Sequence, residues 1–265
     1  MPARPIRLSG IAWGLLALTM SLSCRRSHAG PIREFLEMEK EKEEGEASGE
    51  VPLPDGVARI RDVPYGKAPR QRMDVYRPPQ AAGAPVILMV HGGAWRMGDK
   101  AAAAVVANKV ARWVPRGFIL VSADYRLLPD AAPLAQARDV AEALAAVQAQ
   151  AASWGGDPAK VILMGHSAGA HLAALLTAAP ARAFAAGAKP WLGSVLLDSA
   201  ALDVVRIMEG KPARFYEDAF GRDPVGWKAA SPLHALSKEA VPFLAVCSAR
   251  REDSRRQATA VGAAA

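Results

Sequence analysis

The sequence has little cysteine, no long run of basic residues and no apolar stretch long enough to cross a bilayer comfortably. Cys24 and Cys247 are its two cysteines, so we expect neither a disulfide scaffold nor a metal site. The net charge is +7, but the basic residues are scattered and are not interleaved with aromatics, which argues against nucleic-acid binding. The apolar stretch at 11–22 is too short for a comfortable membrane span. No internal repeat is visible.

The N-terminal residues 1–29 have the features of an export signal. Arg4 and Arg7 precede the apolar stretch, and the tripeptide at 27–29 (SHA) fits a small-x-small cleavage site. Residues 21–24 also resemble a lipoprotein box with its leucine one place late, and acylation of Cys24 would tether the protein to a membrane. An uncleaved anchor is a third alternative. We expect an exported protein, whether periplasmic, extracellular or lipid-anchored.

The domain organisation follows from charge and hydropathy. Residues 30–50 are charged and have almost nothing to bury, so we predict a linker there. Residues 51–265 suit a single α/β domain. A strand pattern at 71–76 and apolar runs at 85–90, 117–122, 161–165, 192–197 and 241–247 alternate with helical patterns, including one capped by Asp99 and a long one at 135–154. This alternation predicts a mostly parallel sheet with helices on both faces.

The sequence VILMGHSAG at 161–169 is the stretch around which the rest of the chain is organised. An apolar strand runs directly into G-H-S-A-G, and an alanine-rich helical run follows. This arrangement is typical of a nucleophile elbow, in which Ser167 stands at the top of the sheet. Gly165 and Gly169 flank it because side chains at those positions would collide with the neighbouring strand and helix. A plain Gly-Ser turn is the alternative.

A second glycine-rich turn, HGGAW at 91–95, follows the predicted strand at 85–90. Acyl transfer builds negative charge on the carbonyl oxygen, and backbone N–H groups aimed at that oxygen stabilise it. The N–H groups of Gly93 and Ala94, with that of Ala168 after the serine, are candidates for such an oxyanion hole.

In combination these motifs carry a family resemblance. HGGAW, DYRL at 124–127, GGDP at 155–158, GHSAG and RMDVY at 72–76 resemble the esterase and lipase branch of the α/β-hydrolase fold, over about residues 60–250. Within it the chain is most similar to hormone-sensitive-lipase-like carboxylesterases, bacterial feruloyl or acetyl esterases and kynurenine-formamidase-like enzymes. The resemblance implies hydrolysis of a small ester or amide substrate without metal or organic cofactor. Its implied residues are Ser167 as nucleophile, Gly93, Ala94 and Ala168 as the oxyanion hole, and Asp124 in a supporting role.

The resemblance also implies an acid after the strand at 241–247. Glu252 and Asp253 are the candidates, and we prefer Asp253 because aspartate is the commoner choice and a short loop precedes it. Asp198 and Asp203 are the fallbacks. The irregular stretch at 198–240 is a candidate lid, and four aromatic residues are candidates for lining the pocket: Trp95, Phe215, Tyr216 and Trp227.

The sequence departs from the family at its base. Triad order in this fold is serine, acid, histidine, yet no histidine follows His234. We expect a C-terminally incomplete hydrolase, truncated or frame-shifted near residue 253, whose last strand and helix are missing. A displaced base (His234 or His171) and a catalytically inactive fold that binds a ligand or partner are the alternatives. The sequence gives no prediction of oligomeric state.

Overall fold

The computed structural model describes residues 51–265. The predicted export signal at 1–29, the lipid-attachment candidate Cys24 and the charged linker at 30–50 lie outside the described residues.

A seven-stranded sheet forms the centre of this part of the chain. Its order is β1-β2-β4-β3-β5-β6-β7. The antiparallel pairs are β1 with β2 and β2 with β4, whereas β4, β3, β5, β6 and β7 are mutually parallel. The predicted mostly parallel sheet is therefore confirmed. The strands are β1 (Ala58–Pro64), β2 (Arg72–Arg77), β3 (Ala84–Val90), β4 (Ile119–Ala123), β5 (Gly156–His166), β6 (Gly193–Leu197) and β7 (Phe243–Val246).

Strand β3 shows why the central strands are continuously apolar. Leu88 and Val90 belong to one core cluster, and Ile87 and Met89 belong to the other. Successive side chains of a strand point to opposite faces, so a strand covered on both faces needs apolar residues at every position. All four side chains are at most 2% exposed.

Helices cover both faces of the sheet. Helix α1 (Ala103–Trp113) packs in the cluster of Ile87 and Met89, whereas α2 (Pro133–Gln150) and α3 (Ala168–Ala178) pack in the opposite cluster. A short helix, α4 (Ala181–Phe184), follows. The prediction that Asp99 caps α1 is wrong: Ala102 is the N-cap, and the Asp99 carboxylate accepts from Ala101 N–H in the preceding turn.

The irregular stretch at 198–240 contains four short helices, α5 (Val204–Glu209), α6 (Arg214–Phe220), α7 (Pro224–Ala229) and α8 (Pro232–Ala235). After β7 the chain forms helix α9 (Glu252–Ala264). Glu252 and Asp253 lie in the first turn of α9, where carboxylates interact favourably with the helix dipole.

The last strand of the sheet, β7, is less covered than the others. Leu244 and Val246 are 59% and 45% exposed, although they belong to a parallel strand of the kind that is usually buried on both faces. They lie in register with Val195 and Leu197 of β6, which are themselves half-buried. An apolar strip thus faces solvent at this edge. Among residues 51–265 no helix has the length and apolar character of a membrane span.

Candidate active site

Ser167 lies at the junction of β5 and α3, in the turn that the sequence predicts. Its backbone has φ 50°, an unfavourable conformation for a residue other than glycine. Its N–H donates to Leu197 O of the neighbouring strand at 2.8 Å. A Cβ on Gly165 would lie 2.3 Å from Gly169 O, and a Cβ on Gly169 would lie 2.3 Å from His91 O. Both glycines are required by close backbone approach, and the serine is held at a strained corner.

The glycine-rich turn at 91–95, which carries the predicted oxyanion donors and is called the oxyanion turn below, follows β3 and packs directly against this corner. Gly93, Ala94 and Trp95 have φ values of 105°, 49° and 62°, and Gly93 O accepts from the N–H groups of residues 96 and 97. A Cβ on Gly92 would lie 3.2 Å from the Cβ of Ser167. The two predicted motifs, 75 residues apart in sequence, therefore contact each other.

The three predicted oxyanion donors have no hydrogen-bond acceptor in the protein among the described residues: Gly93 N–H, Ala94 N–H and Ala168 N–H. Ala94 and Ala168 line one cleft together with Ser167. Ala168 is the first residue of α3, where backbone N–H groups have no intrahelical partner. The arrangement can receive negative charge beside the serine hydroxyl.

Buried polar side chains of Asp124 and Tyr125 contact His91, the first residue of the oxyanion turn. The His91 ring stacks on Tyr125 with centroids 4.5 Å apart, and His91 Nε2 lies 3.2 Å from Asp124 Oδ1. The Tyr125 hydroxyl donates to His91 O at 3.0 Å. Burial opposes ionisation of Asp124, but the adjacent His91 ring and Arg70 keep the pKa of Asp124 below its usual value. This geometry agrees with a supporting role for Asp124.

Aromatic side chains form part of the wall of the cleft that contains Ser167. Trp95, Phe215 and Tyr216 line it, so three of the four aromatic candidates meet there, and α6 supplies two of them. Trp227 does not line it; its Nε1 donates to Gly221 O at 3.1 Å. The Trp95 ring is anchored beneath, where its Nε1 donates to His171 Nδ1 at 3.2 Å.

Of the four acid candidates, Asp253 is the one that lines the cleft of Ser167. It is 45% exposed and lies 3.8 Å from Arg251. Glu252 pairs with Arg256 on the outer face of α9. Asp198 accepts from Ser248 N–H at 3.0 Å and pairs with Arg251 at 3.1 Å.

Asp203, the remaining acid candidate, is the N-cap of α5. It also lies 3.4 Å from His234 Nε2. The carboxylate is therefore engaged by the helix and by a histidine, away from the residues that line the cleft.

The candidate bases are held away from the serine. His171 is fully buried, its Nδ1 accepts from Trp95, and its Nε2 contacts Ala230 O at 2.8 Å. Burial lowers its pKa to about 4. His91 serves the oxyanion turn, and His234 pairs with Asp203. Among residues 51–265 no histidine is one of the residues lining the cleft.

One residue of the cleft was not anticipated from the sequence. Arg251 lines it between Asp198 and Asp253. An arginine beside a predicted acid in the same loop is the signal that would have found it. Within the described residues no group of three or more His, Cys, Asp or Glu is placed to hold a metal ion.

The strand order, the serine turn between β5 and α3 and the adjacent oxyanion turn define an α/β-hydrolase fold. Solved esterases share this fold. Esterase B from Lactobacillus rhamnosis superposes with a TM-score of 0.69 at 20% identity, covering 88% of this chain and 78% of that one. Thermogutta terrifontis esterase 2 gives 0.58 at 24% identity, covering 80% and 81%.

Sequence comparison then gives the particular relatives. Residues 73–190 match the BD-FAE family model. Esterase LipQ of Mycobacterium tuberculosis is 33% identical over 202 residues, which is 71% of this chain and 48% of LipQ. A probable isoprenylcysteine alpha-carbonyl methylesterase of Oryza sativa subsp. japonica is 40% identical over 115 residues, 43% of this chain and 26% of that protein. The chain thus matches about half the length of LipQ and about a quarter of the plant protein. It is an α/β-hydrolase-fold protein similar to esterases of the hormone-sensitive-lipase and feruloyl-esterase type.

Proposed function

We propose that the chain is a serine carboxylesterase-type hydrolase that acts on small esters through an acyl-enzyme on Ser167. The observation that carries the proposal is the contact between the serine turn and a glycine turn whose N–H groups lack protein acceptors. The similarity to Esterase LipQ and to the plant methylesterase supports ester hydrolysis. The aromatic walls of the Ser167 cleft suit a short acyl group.

In this mechanism Ser167 Oγ attacks the ester carbonyl carbon and the hydroxyl proton passes to a base. The N–H groups of Gly93, Ala94 and Ala168 donate to the carbonyl oxygen as it becomes negative. The C–O bond to the alcohol then breaks, the alcohol leaves with a proton, and water hydrolyses the acyl-serine. Asp253 is the proposed acid because it lines the same cleft.

The competing proposal is a catalytically inactive α/β-hydrolase fold that binds a ligand or partner. The placement of three of the four described histidines favours it, because His91 and His171 are engaged elsewhere and His234 pairs with Asp203. Without a base the serine hydroxyl is a weak nucleophile.

Fluorophosphonate labelling of the purified chain separates the two proposals. We expect covalent labelling of the native protein, none with Ser167→Ala, and full labelling with Ser199→Ala, a matched control because Ser199 lines the same cleft. Hydrolysis of p-nitrophenyl butyrate is measured in parallel. A folded protein that is neither labelled nor active would refute the enzyme proposal and support the binding one.

The pH dependence of labelling identifies the base. If an imidazole accepts the proton, the labelling rate levels off above a pH of roughly 6.5. If none does, the rate rises about tenfold per pH unit through pH 9, because the serine itself must ionise. His234→Ala tests His234 as the displaced base, and an unchanged profile in that variant excludes His234.

We also propose that the protein is exported, on the basis of the charged and apolar pattern at 1–29. Cell fractionation of the full-length protein tests this proposal. If the protein is recovered in the envelope fraction and Cys24→Ala abolishes this recovery, the protein is attached by lipid. Recovery of the protein in the cytosolic fraction refutes export.

A further inference from the structure

The Lys100 ammonium lies within a cluster of three carboxylates beside the oxyanion turn. Its Nζ is 2.9 Å from Asp62, 3.6 Å from Asp74 and 4.0 Å from Asp124. Lys100 is 8% exposed, which is unusual for lysine. Burial opposes its charge, yet the surrounding carboxylates raise its pKa above the usual value. Lys100 therefore combines a largely buried side chain with three nearby carboxylates.

The strand at the sheet edge is deformed where it meets this lysine. Strand β1 changes register against β2 between Ile60 and Val63, and Asp62 has φ 56°. The Asp62 N–H donates to Asp74 Oδ1 at 2.9 Å. A bulge and a left-handed residue other than glycine both cost energy. They bring the carboxylate of Asp62 against Lys100 and leave Asp74 shared between the strand and the lysine.

The cluster connects directly to the oxyanion turn. The Lys100 N–H donates to Asp124 Oδ1 at 2.8 Å, the same oxygen that lies 3.2 Å from His91 Nε2. His91 Nδ1 is 2.7 Å from Gly92 O. A Cβ on Gly98 would lie 2.3 Å from His91 Nδ1, so the backbone of Gly98 packs closely against the histidine ring. Displacement of Asp124 would therefore be transmitted to the backbone that carries Gly93 and Ala94.

We propose that Lys100 is a positioning residue that holds the oxyanion turn in its donating geometry through Asp124 and His91. The inference rests on the proposed esterase function for its catalytic consequence, but the positioning itself is a property of the fold. Lys100 touches neither substrate nor reacting atoms.

The physical reason is charge balance in a buried site. Asp74 and Asp124 are 0% and 6% exposed, and each also has an arginine, Arg59 and Arg70 respectively. Without the Lys100 ammonium, less positive charge surrounds the carboxylates of Asp74 and Asp124. Each carboxylate must then be hydrated or become protonated. Either change alters the contact of Asp124 with His91.

The test compares Lys100→Met with Lys109→Met. Lys109 is a matched control, because its partly buried ammonium donates to Val105 O within α1. Hydrogen exchange of the peptide 91–98 is measured first by mass spectrometry. We expect faster exchange of this peptide in Lys100→Met and no change in Lys109→Met. Equal exchange in both variants overturns the proposal, whether or not the protein is an enzyme.

Kinetics give the second readout. Donors that act on the transition state affect kcat with little change in KM, so we expect kcat for p-nitrophenyl butyrate to fall by roughly tenfold in Lys100→Met, less than full loss of a donor. A change in kcat of less than about twofold overturns the proposal. If Lys100→Met does not fold, Lys100→Gln replaces it, because glutamine supplies a neutral hydrogen-bond donor at the same place. Hydrogen exchange of the peptide 91–98 and kcat are then judged for Lys100→Gln in the same way. If the native protein has no turnover, the proposed function fails while hydrogen exchange still decides this inference.

Discussion

Lowering the pH should destabilise the fold through His171. The imidazole is fully buried between Trp95 Nε1, whose proton it accepts, and Ala230 O. Burial lowers its pKa from 6.5 to about 4. The unfolded chain therefore binds a proton at a higher pH than the folded chain does. The stability contributed by neutral His171 is complete above pH 6.5 and is lost as the pH falls toward 4.

The magnitude follows from these two pKa values. At pH 5 the unfolded histidine is almost fully protonated and the folded one is mostly neutral, so the free energy of unfolding should be about 2 kcal/mol lower than at pH 7. Urea unfolding at the two pH values measures this loss. His171→Gln supplies the comparison, because glutamine can donate to Ala230 O without titrating. Groups that titrate in both proteins cancel when the two losses are subtracted.

The reasoning fails if His171→Gln loses as much stability between pH 7 and pH 5 as the native chain does. It also fails if the native chain shows no loss in this range, since the histidine would then be as easily protonated in the folded state as in the unfolded state. A smaller but clear difference would mean that the buried imidazole gains solvent contact before unfolding.

Three further predictions concern the elbow, the exposed strand and the cleft. Gly169→Ala places a Cβ against His91 O and should lower the free energy of unfolding by about 3 kcal/mol. The control Gly262→Ala, in open space on α9, should leave the free energy of unfolding unchanged or raise it by about 0.5 kcal/mol. Urea unfolding measures both changes. Leu244→Thr should reduce binding of an apolar dye with a stability change below about 0.5 kcal/mol. Phe215→Ala should shift kcat/KM toward octanoyl over butyryl esters by roughly fivefold; an unchanged ratio would remove Phe215 from the acyl site.

The parallel strands were predictable because they are buried on both faces. Strand β3 has no polar residue, and its burial follows from that composition. Strand β1 was missed because it is an edge strand with charged side chains and a bulge at Asp62, so neither alternation nor an apolar run marks it. Helix α9 was missed because its composition is weakly amphipathic and few of its residues are buried.

Some residues of the candidate site can be predicted from short local motifs, whereas others depend on contacts between distant segments of the chain. Ser167 and Gly93 stand in short motifs whose geometry is fixed by their neighbours in sequence, so both could be named from the sequence. Arg251 and Lys100 depend on contacts that join distant segments: Lys100 meets Asp62, 38 residues away, only because β1 bulges. The preference for Asp253 over Glu252 rested on residue type, whereas the separation seen in the structure comes from the direction of the first turn of α9.

The serine turn and the oxyanion turn behave as one packed unit because glycines stand wherever their backbones approach. Gly92 faces Ser167, Gly169 faces His91 O, and Gly165 faces Gly169 O. A Cβ at Gly165 or Gly169 would overlap this backbone, and a Cβ at Gly92 would press on the Ser167 side chain. The relative placement of Ser167 and the N–H groups of Gly93 and Ala94 is thus set by main-chain packing and needs no catalytic base. Oxyanion stabilisation and proton transfer are therefore separable in this fold, which agrees with the residual activity that hydrolases keep when a triad member is removed.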